Sequence, residues 1–68
     1  MYSRVHFTRN EDGSEHSALF ASRMQAIQFV TRINREGWGM RFRRREDNAT
    51  RAPGETLHRS GYTAVHHV

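Results

Sequence analysis

The sequence has no cysteine, no lysine and a single proline among its 68 residues. The lack of cysteine excludes a disulfide scaffold, a thiolate zinc site and a cysteine nucleophile. Long apolar runs are also missing: the longest is residues 18–21, whereas a membrane-spanning helix needs about 20 apolar residues. The first six residues do not form the apolar stretch of a secretory signal, so we expect a cytoplasmic protein. A mass of 8.0 kDa with 35% hydrophobic residues allows one small domain over residues 1–68 and no deep multi-layer cleft.

Charge of one sign is abundant. All 11 basic residues are arginines, and against 7 acidic residues they give a formal net charge of +4. Seven of these arginines lie in residues 23–48, whereas residues 1–22 are net negative. A GC-rich genome would explain the missing lysine but not this clustering. Because arginine binds phosphate and carboxylate groups bidentately, the cluster indicates attraction to phosphates or to acidic protein surfaces.

Residues 23–36 predict an amphipathic helix. Ser22 and Gln25 have the spacing of a capping box at its start, and Gly37 is suited to the left-handed residue that ends it. One arc of the helical wheel is apolar and would face the core. It contains Ala26, Ile27, Phe29, Val30 and Ile33.

Alternating and β-branched residues predict strands on both sides of the helix. Residues 2–9 alternate, residues 10–13 read as a turn, and residues 14–20 are favoured as a short return strand. After the helix, large apolar residues alternate with arginines over residues 38–45.

The remaining residues are predicted as a loop followed by a last strand. The loop covers residues 47–54, where Pro53 and Gly54 suit a tight turn. The last strand is placed at about 61–67, and Leu57 is assigned to the sheet edge.

These elements predict a single small α+β domain. One helix packs on one face of a three- to four-stranded, mainly antiparallel sheet, in the order β-(β)-α-β-β. Residues 20–38 resemble the generic strand-helix-strand unit of many small proteins, which implies no particular functional residue. The predicted core is thin, so we expect dimerisation through a sheet edge or docking onto a larger partner. The predicted core residues are Val5, Phe7, Leu19, Ala26, Ile27, Phe29, Val30, Ile33, Trp38, Met40, Phe42 and Val65.

The arginines after the helix are the strongest functional signal. Strict alternation puts Arg41, Arg43 and Arg45 on the sheet face that the helix leaves uncovered, together with Arg4 and His6. Arg44 extends the same cluster. Alternate residues of a strand are about 6.6 Å apart, which is comparable to the phosphate spacing of a single nucleic-acid strand. The alternative is an edge strand that its charge protects from aggregation.

A metal centre and a catalytic site are both disfavoured. His6 and His66 could approach each other if their strands pair, with Glu15 or Glu55 adding a carboxylate, but no histidine pair has the i, i+4 spacing of a zinc enzyme. We therefore expect no metal and no cofactor, and exposed histidines that make the surface more basic near pH 6. The histidines are His6, His16, His58, His66 and His67. With no supported nucleophile and base set, and no glycine-rich phosphate loop, we expect no enzyme.

The sequence therefore predicts a non-catalytic basic protein whose arginine-rich sheet face contacts nucleic acid or a nucleoprotein complex. Only Tyr2 and Tyr62 are candidates for stacking on bases, and no RNA-binding consensus or helix-turn-helix is present, so backbone contacts are favoured over base reading. In its small size, one-sided charge and lack of an active site the chain is similar to phage accessory proteins, including anti-CRISPR inhibitors. That similarity implies an alternative, docking on an acidic protein surface. A third hypothesis is a structural subunit that self-associates.

Overall fold

A computed structural model describes residues 2–36 and 39–59 and contains one helix packed on a four-stranded sheet. The elements follow the predicted order of strands and helix. They are β1 (Tyr2–Arg9), β2 (Glu15–Phe20), α1 (Arg23–Glu36), β3 (Met40–Ala49) and β4 (Leu57–His58). The predicted strand at 61–67, and with it Tyr62, Val65, His66 and His67, lies outside the described residues, as do Gly37 and Trp38.

The sheet is mixed, with the strand order β3-β1-β2-β4. The central strand β1 is antiparallel to both β2 and β3, whereas β2 and β4 are parallel. It follows that β2 and β3 run in the same direction on either side of β1. Parallel strands need a long return connection, and α1 supplies it across one face of the sheet.

The turn between β1 and β2 forms where the sequence predicts it. Gly13 has a positive φ of 72° and donates its backbone N–H to the Arg9 carbonyl at 2.8 Å. Asp12 Oδ1 accepts hydrogen bonds from the Ser14 hydroxyl at 2.7 Å and the Ser14 backbone N–H at 3.0 Å. These bonds lower the pKa of Asp12. The turn therefore fixes the register of the hairpin.

Helix α1 begins at the predicted cap and buries three of the five residues of the predicted apolar arc. The Gln25 backbone N–H donates to Ser22 Oγ at 3.3 Å, which satisfies one of the free donors of the first turn. Ala26, Phe29 and Ile33 are buried because their spacing puts them on one side of the helix.

The core lies between α1 and the sheet. The Phe29 ring lies 5.1 Å from the Phe20 ring and 5.8 Å from the Phe7 ring, measured between centroids. Val30 and Phe42 pack on the core while partly exposed, and Ile27 is half-buried. The core cluster is Val5, Phe7, Ala18, Phe20, Ala26, Phe29, Ile33 and Met40.

Strand β3 is longer than predicted and contains two irregularities. The assignment of residues 47–49 to a loop is wrong, because Ser3 pairs with Asp47 and Tyr2 with Ala49. Asn48 is therefore an extra residue opposite β1, and it has a positive φ of 60°, which asparagine tolerates better than most residues. A second register shift makes Arg43 an extra residue as well, because His6 pairs with Arg44 and Phe7 with Phe42. Both are β-bulges.

Candidate nucleic-acid interface

The sheet face opposite α1 is called the open face here. Val5 and Phe7 of β1 point into the core, so the alternating residues Arg4, His6 and Thr8 lie on the open face. Residues directly opposite each other on neighbouring strands share a face. The open face therefore also contains Glu15, Ser17 and Leu19 of β2 and Arg41, Arg44 and Glu46 of β3.

The bulge at Arg43 changes which arginines reach the open face. Arg41 pairs with Thr8 and Arg44 pairs with His6, so both lie there. Arg45 pairs with the core residue Val5 and lies on the helix side. The expectation that strict alternation puts Arg45 beside Arg41 is therefore wrong, because one extra residue reverses the alternation after Phe42.

Arg45 takes part in a separate cluster at the start of α1. Its guanidinium donates to both carboxylate oxygens of Asp47, at 3.0 and 3.3 Å. Asp47 Oδ1 also accepts from the hydroxyl of the buried Ser3 at 2.9 Å, and Arg23 lies 3.9 Å from Asp47 Oδ2. The hydrogen bonds from Arg45 and then from Ser3 are the main reasons why the pKa of Asp47 is lowered. Arg45 is thus held in an ion pair with Asp47 of the same chain.

Arg4 is also bound within the protein. Its guanidinium forms a bidentate pair with Glu55 at 2.6 and 3.1 Å and donates to the Thr50 carbonyl at 2.8 Å. The side chains of Arg4 and Glu55 are 19% and 23% exposed. The hydrogen bond from Arg4, and a second one from the Ala52 backbone N–H, lower the pKa of Glu55 to about 2. Arg4 therefore anchors the connection between β3 and β4.

This connection, residues 50–56, covers one end of the open face. Leu19, a predicted core residue, is fully buried on the open side, where it pairs with Arg4 and Leu57. Ala49 is buried at the same end of the sheet, where it pairs with Tyr2. The prediction that Leu19 is a core residue is thus confirmed, and its burial on the open side means that both faces of the sheet are covered at this end.

The other end of the open face carries an exposed group of three arginines, Arg41, Arg43 and Arg44, called the arginine patch below. All three are exposed. Arg43 reaches across β1 to Glu15, with 3.8 Å between Nη1 and Oε2. Within residues 2–36 and 39–59, the side chains of Arg41 and Arg44 form no hydrogen bond or ion pair. No described side chain therefore competes with a ligand for these two guanidinium groups.

His6 lies at the border between the arginine patch and the anchored connection. Its Nε2 is 3.2 Å from Glu46 Oε1, and its cross-strand neighbour is Arg44. A protonated His6 would form an ion pair with Glu46 next to the patch.

Thr8 lies beneath the patch and was not singled out by the sequence. Its side chain is on the open face, yet the residue is only 5% exposed. Thr8 Oγ1 finds no hydrogen-bond partner among the described residues. Only the cross-strand register, which places Arg41 and Glu15 on either side of it, reveals this position.

The hairpin turn brings an aspartate, a serine and a histidine together, but in an order unsuited to nucleophilic catalysis. Ser14 Oγ lies 2.7 Å from both Asp12 Oδ1 and His16 Nε2. In a serine nucleophile system the carboxylate orients the histidine and the histidine takes the serine proton. Here the carboxylate binds the serine, and the His16 ring stacks on Phe7 at 5.7 Å. The arrangement stabilises the turn.

Metal binding and membrane spanning find no support in the part of the chain that the structure describes. No group of three histidine, aspartate or glutamate residues there could hold a metal ion. No helix there is long and apolar enough to cross a membrane.

Comparisons with known proteins add no relative to this picture. The chain matches no protein-family model, no curated protein and no solved structure.

Proposed function

We propose that this protein is a non-catalytic binding protein whose arginine patch contacts the phosphate backbone of nucleic acid, free or within a nucleoprotein complex. The observation that carries the proposal is the state of Arg41 and Arg44. Both are exposed on the open face and have no side-chain partner among the described residues. The proposal assumes the cytoplasm, where such ligands are abundant.

The contrast with the other arginines of the same sheet supports this choice of site. Arg4 and Arg45, which the sequence places in the binding surface, are each bound to an acid of the protein itself. An arginine that already forms a bidentate pair must give it up before it binds phosphate. We therefore restrict the binding residues to Arg41, Arg43 and Arg44, with His6 as their neighbour.

The geometry of the patch favours backbone contacts. Arg41 and Arg44 project from one strand, and Arg43 projects from the bulge between them. Guanidinium groups on a strand bind phosphates without reading base edges, so binding is expected to depend little on sequence. A row of carboxylates on a protein would also attract the patch, and that alternative is an outcome of the test.

The proposal predicts binding that weakens steeply with salt. Each neutralised phosphate contributes about 0.7 to the slope of log affinity against log salt for a single strand and about 0.9 for a duplex. Three arginines therefore predict a slope of about −2 for a single strand and nearly −3 for a duplex. Fluorescence anisotropy measures this slope, with labelled single-stranded and double-stranded oligonucleotides titrated at a series of salt concentrations from low to physiological. Absence of binding to either probe at low salt would contradict the proposal and favour an acidic protein partner.

A further inference from the structure

Thr8 is a buried hydroxyl without a partner, placed under the arginine patch. It belongs to the central strand, and its cross-strand neighbours are Arg41 on β3 and Glu15 on β2. The Arg43 side chain crosses β1 on the open side to reach Glu15. Thr8 Oγ1 thus lies under the path of this side chain, with no hydrogen-bond partner among the described residues.

An unsatisfied buried hydroxyl is unfavourable, and a native structure that keeps one calls for an explanation. Valine has the same shape and a higher preference for strands, so packing alone would favour valine at this position. A hydroxyl on the same sheet face as two neighbouring arginines can instead donate to an anion that their guanidinium groups bind.

The ion pair above Thr8 is easily opened. Arg43 and Glu15 are 3.8 Å apart, and their side chains are 51% and 76% exposed. Exposed pairs of this kind contribute little to stability. A phosphate oxygen can therefore replace the Glu15 carboxylate as the partner of Arg43 without disturbing the sheet.

We propose that Thr8, Arg41 and Arg43 form a binding site for one backbone phosphate, called the phosphate site. Glu15 is the partner of Arg43 until the phosphate binds. The phosphate takes over the Arg43 guanidinium from Glu15, binds Arg41, and accepts a hydrogen bond from Thr8 Oγ1. This inference rests on the proposed function, because the phosphate is that of a bound nucleic acid. It adds a neutral donor and a competing carboxylate to a surface otherwise defined by charge.

Three substitutions at two positions test the phosphate site. Thr8→Val removes the donor and keeps the shape, and Thr8→Ser keeps the donor. A hydrogen bond to a charged group is worth about tenfold in affinity, so Thr8→Val is expected to weaken oligonucleotide binding about tenfold. Its salt slope should stay unchanged, since no charge is lost. Thr8→Ser should bind within a few-fold of the wild type. Glu15→Gln should bind more tightly, because Arg43 loses its internal competitor.

The readout is fluorescence anisotropy with the labelled oligonucleotide, on variants whose circular dichroism matches the wild type. Thr8→Val is expected to fold, because it removes an unsatisfied buried hydroxyl. The proposed phosphate site is wrong if Thr8→Val and Glu15→Gln both bind like the wild type while replacement of the arginine patch abolishes binding. In that case the proposed function stands without it. If the wild type itself does not bind, both proposals are wrong.

Discussion

The role of Arg4 in the structure, where it pairs with Glu55, differs from the role that the sequence predicts for it. Arg4 alternates with core residues and looks like part of a basic surface. In the fold its guanidinium binds Glu55 and the Thr50 carbonyl, and the hydrogen bond to Glu55 is the main reason why the pKa of Arg4 is raised. The side chain therefore fixes the connection that covers Leu19, and it is not available to a ligand.

Glu55 predicts a defined dependence of stability on pH. Its pKa falls from the ordinary 4.5 to about 2 in the folded protein, so between these values the unfolded chain binds a proton that the folded protein does not. The stabilising contribution is therefore complete above about pH 4.5 and is lost as the pH falls toward 2. Glu55→Gln should be less stable than the wild type at pH 7 and equal to it near the low end of this range.

Urea unfolding at a series of pH values measures this difference. The proton uptake on unfolding below pH 4.5 should fall by up to about one proton in Glu55→Gln. Asp12 and Asp47, whose pKa values are also lowered, should preserve part of the pH dependence. Glu11→Gln, an exposed change in the turn, is the matched control. A pH profile that is the same for Glu55→Gln and the wild type would contradict the anchoring role.

At the scale of elements, local signals predict most of the fold. The spacing of apolar residues, the cap at Ser22 and the turn before Ser14 predict the helix and the first two strands, and the structure confirms them. Strand pairing depends on distant residues, so the bulge at Arg43 and the course of residues 50–56 could not be predicted. The bulge alone decides that Arg44, and not Arg45, lies on the open face.

The bulge predicts an unusual tolerance to deletion. Removing Arg43 joins Phe42 to Arg44 and leaves every other residue of β3 paired as before, so the free energy of unfolding should change by less than about 1 kcal/mol. Removing Arg41 deletes the same charge but turns Met40, a buried core residue, away from the helix. This deletion should lower the free energy of unfolding by about 2 kcal/mol or more, as for other losses of a core methionine.

Chemical denaturation of the two deletion variants checks this prediction. The comparison is matched in length and charge, so a difference between them reports the register of β3. Equal destabilisation by both deletions would mean that Arg43 is a regular member of the strand, and the assignment of faces would then be wrong.

At the scale of the whole molecule, residues 2–36 and 39–59 cover both faces of the sheet at one end and one face at the other. The helix packs against β1, β2 and β3 on one face, and residues 50–56 cover the other face near Arg4 and Leu19. The uncovered end carries Arg41, Arg43 and Arg44 on the edge strand β3. Charges and bulges on an edge strand also discourage pairing with another sheet. Dimerisation through a sheet edge stays a prediction.

The central claim is that binding resides in the arginine patch and does not follow from net charge alone. Replacing Arg41, Arg43 and Arg44 with glutamine removes the patch. Replacing Arg23, Arg35 and Arg59, which are also exposed, removes the same charge elsewhere.

The most direct measurement is the affinity of these two triple variants and the wild type for the same labelled oligonucleotide at low salt, by fluorescence anisotropy. We expect the patch variant to bind at least about tenfold more weakly, with a salt slope shallower by about two for a single strand. The variant with the same charge removed elsewhere should stay close to the wild type. Equal losses in both variants would show that net charge alone drives binding and would contradict a defined site on the open face.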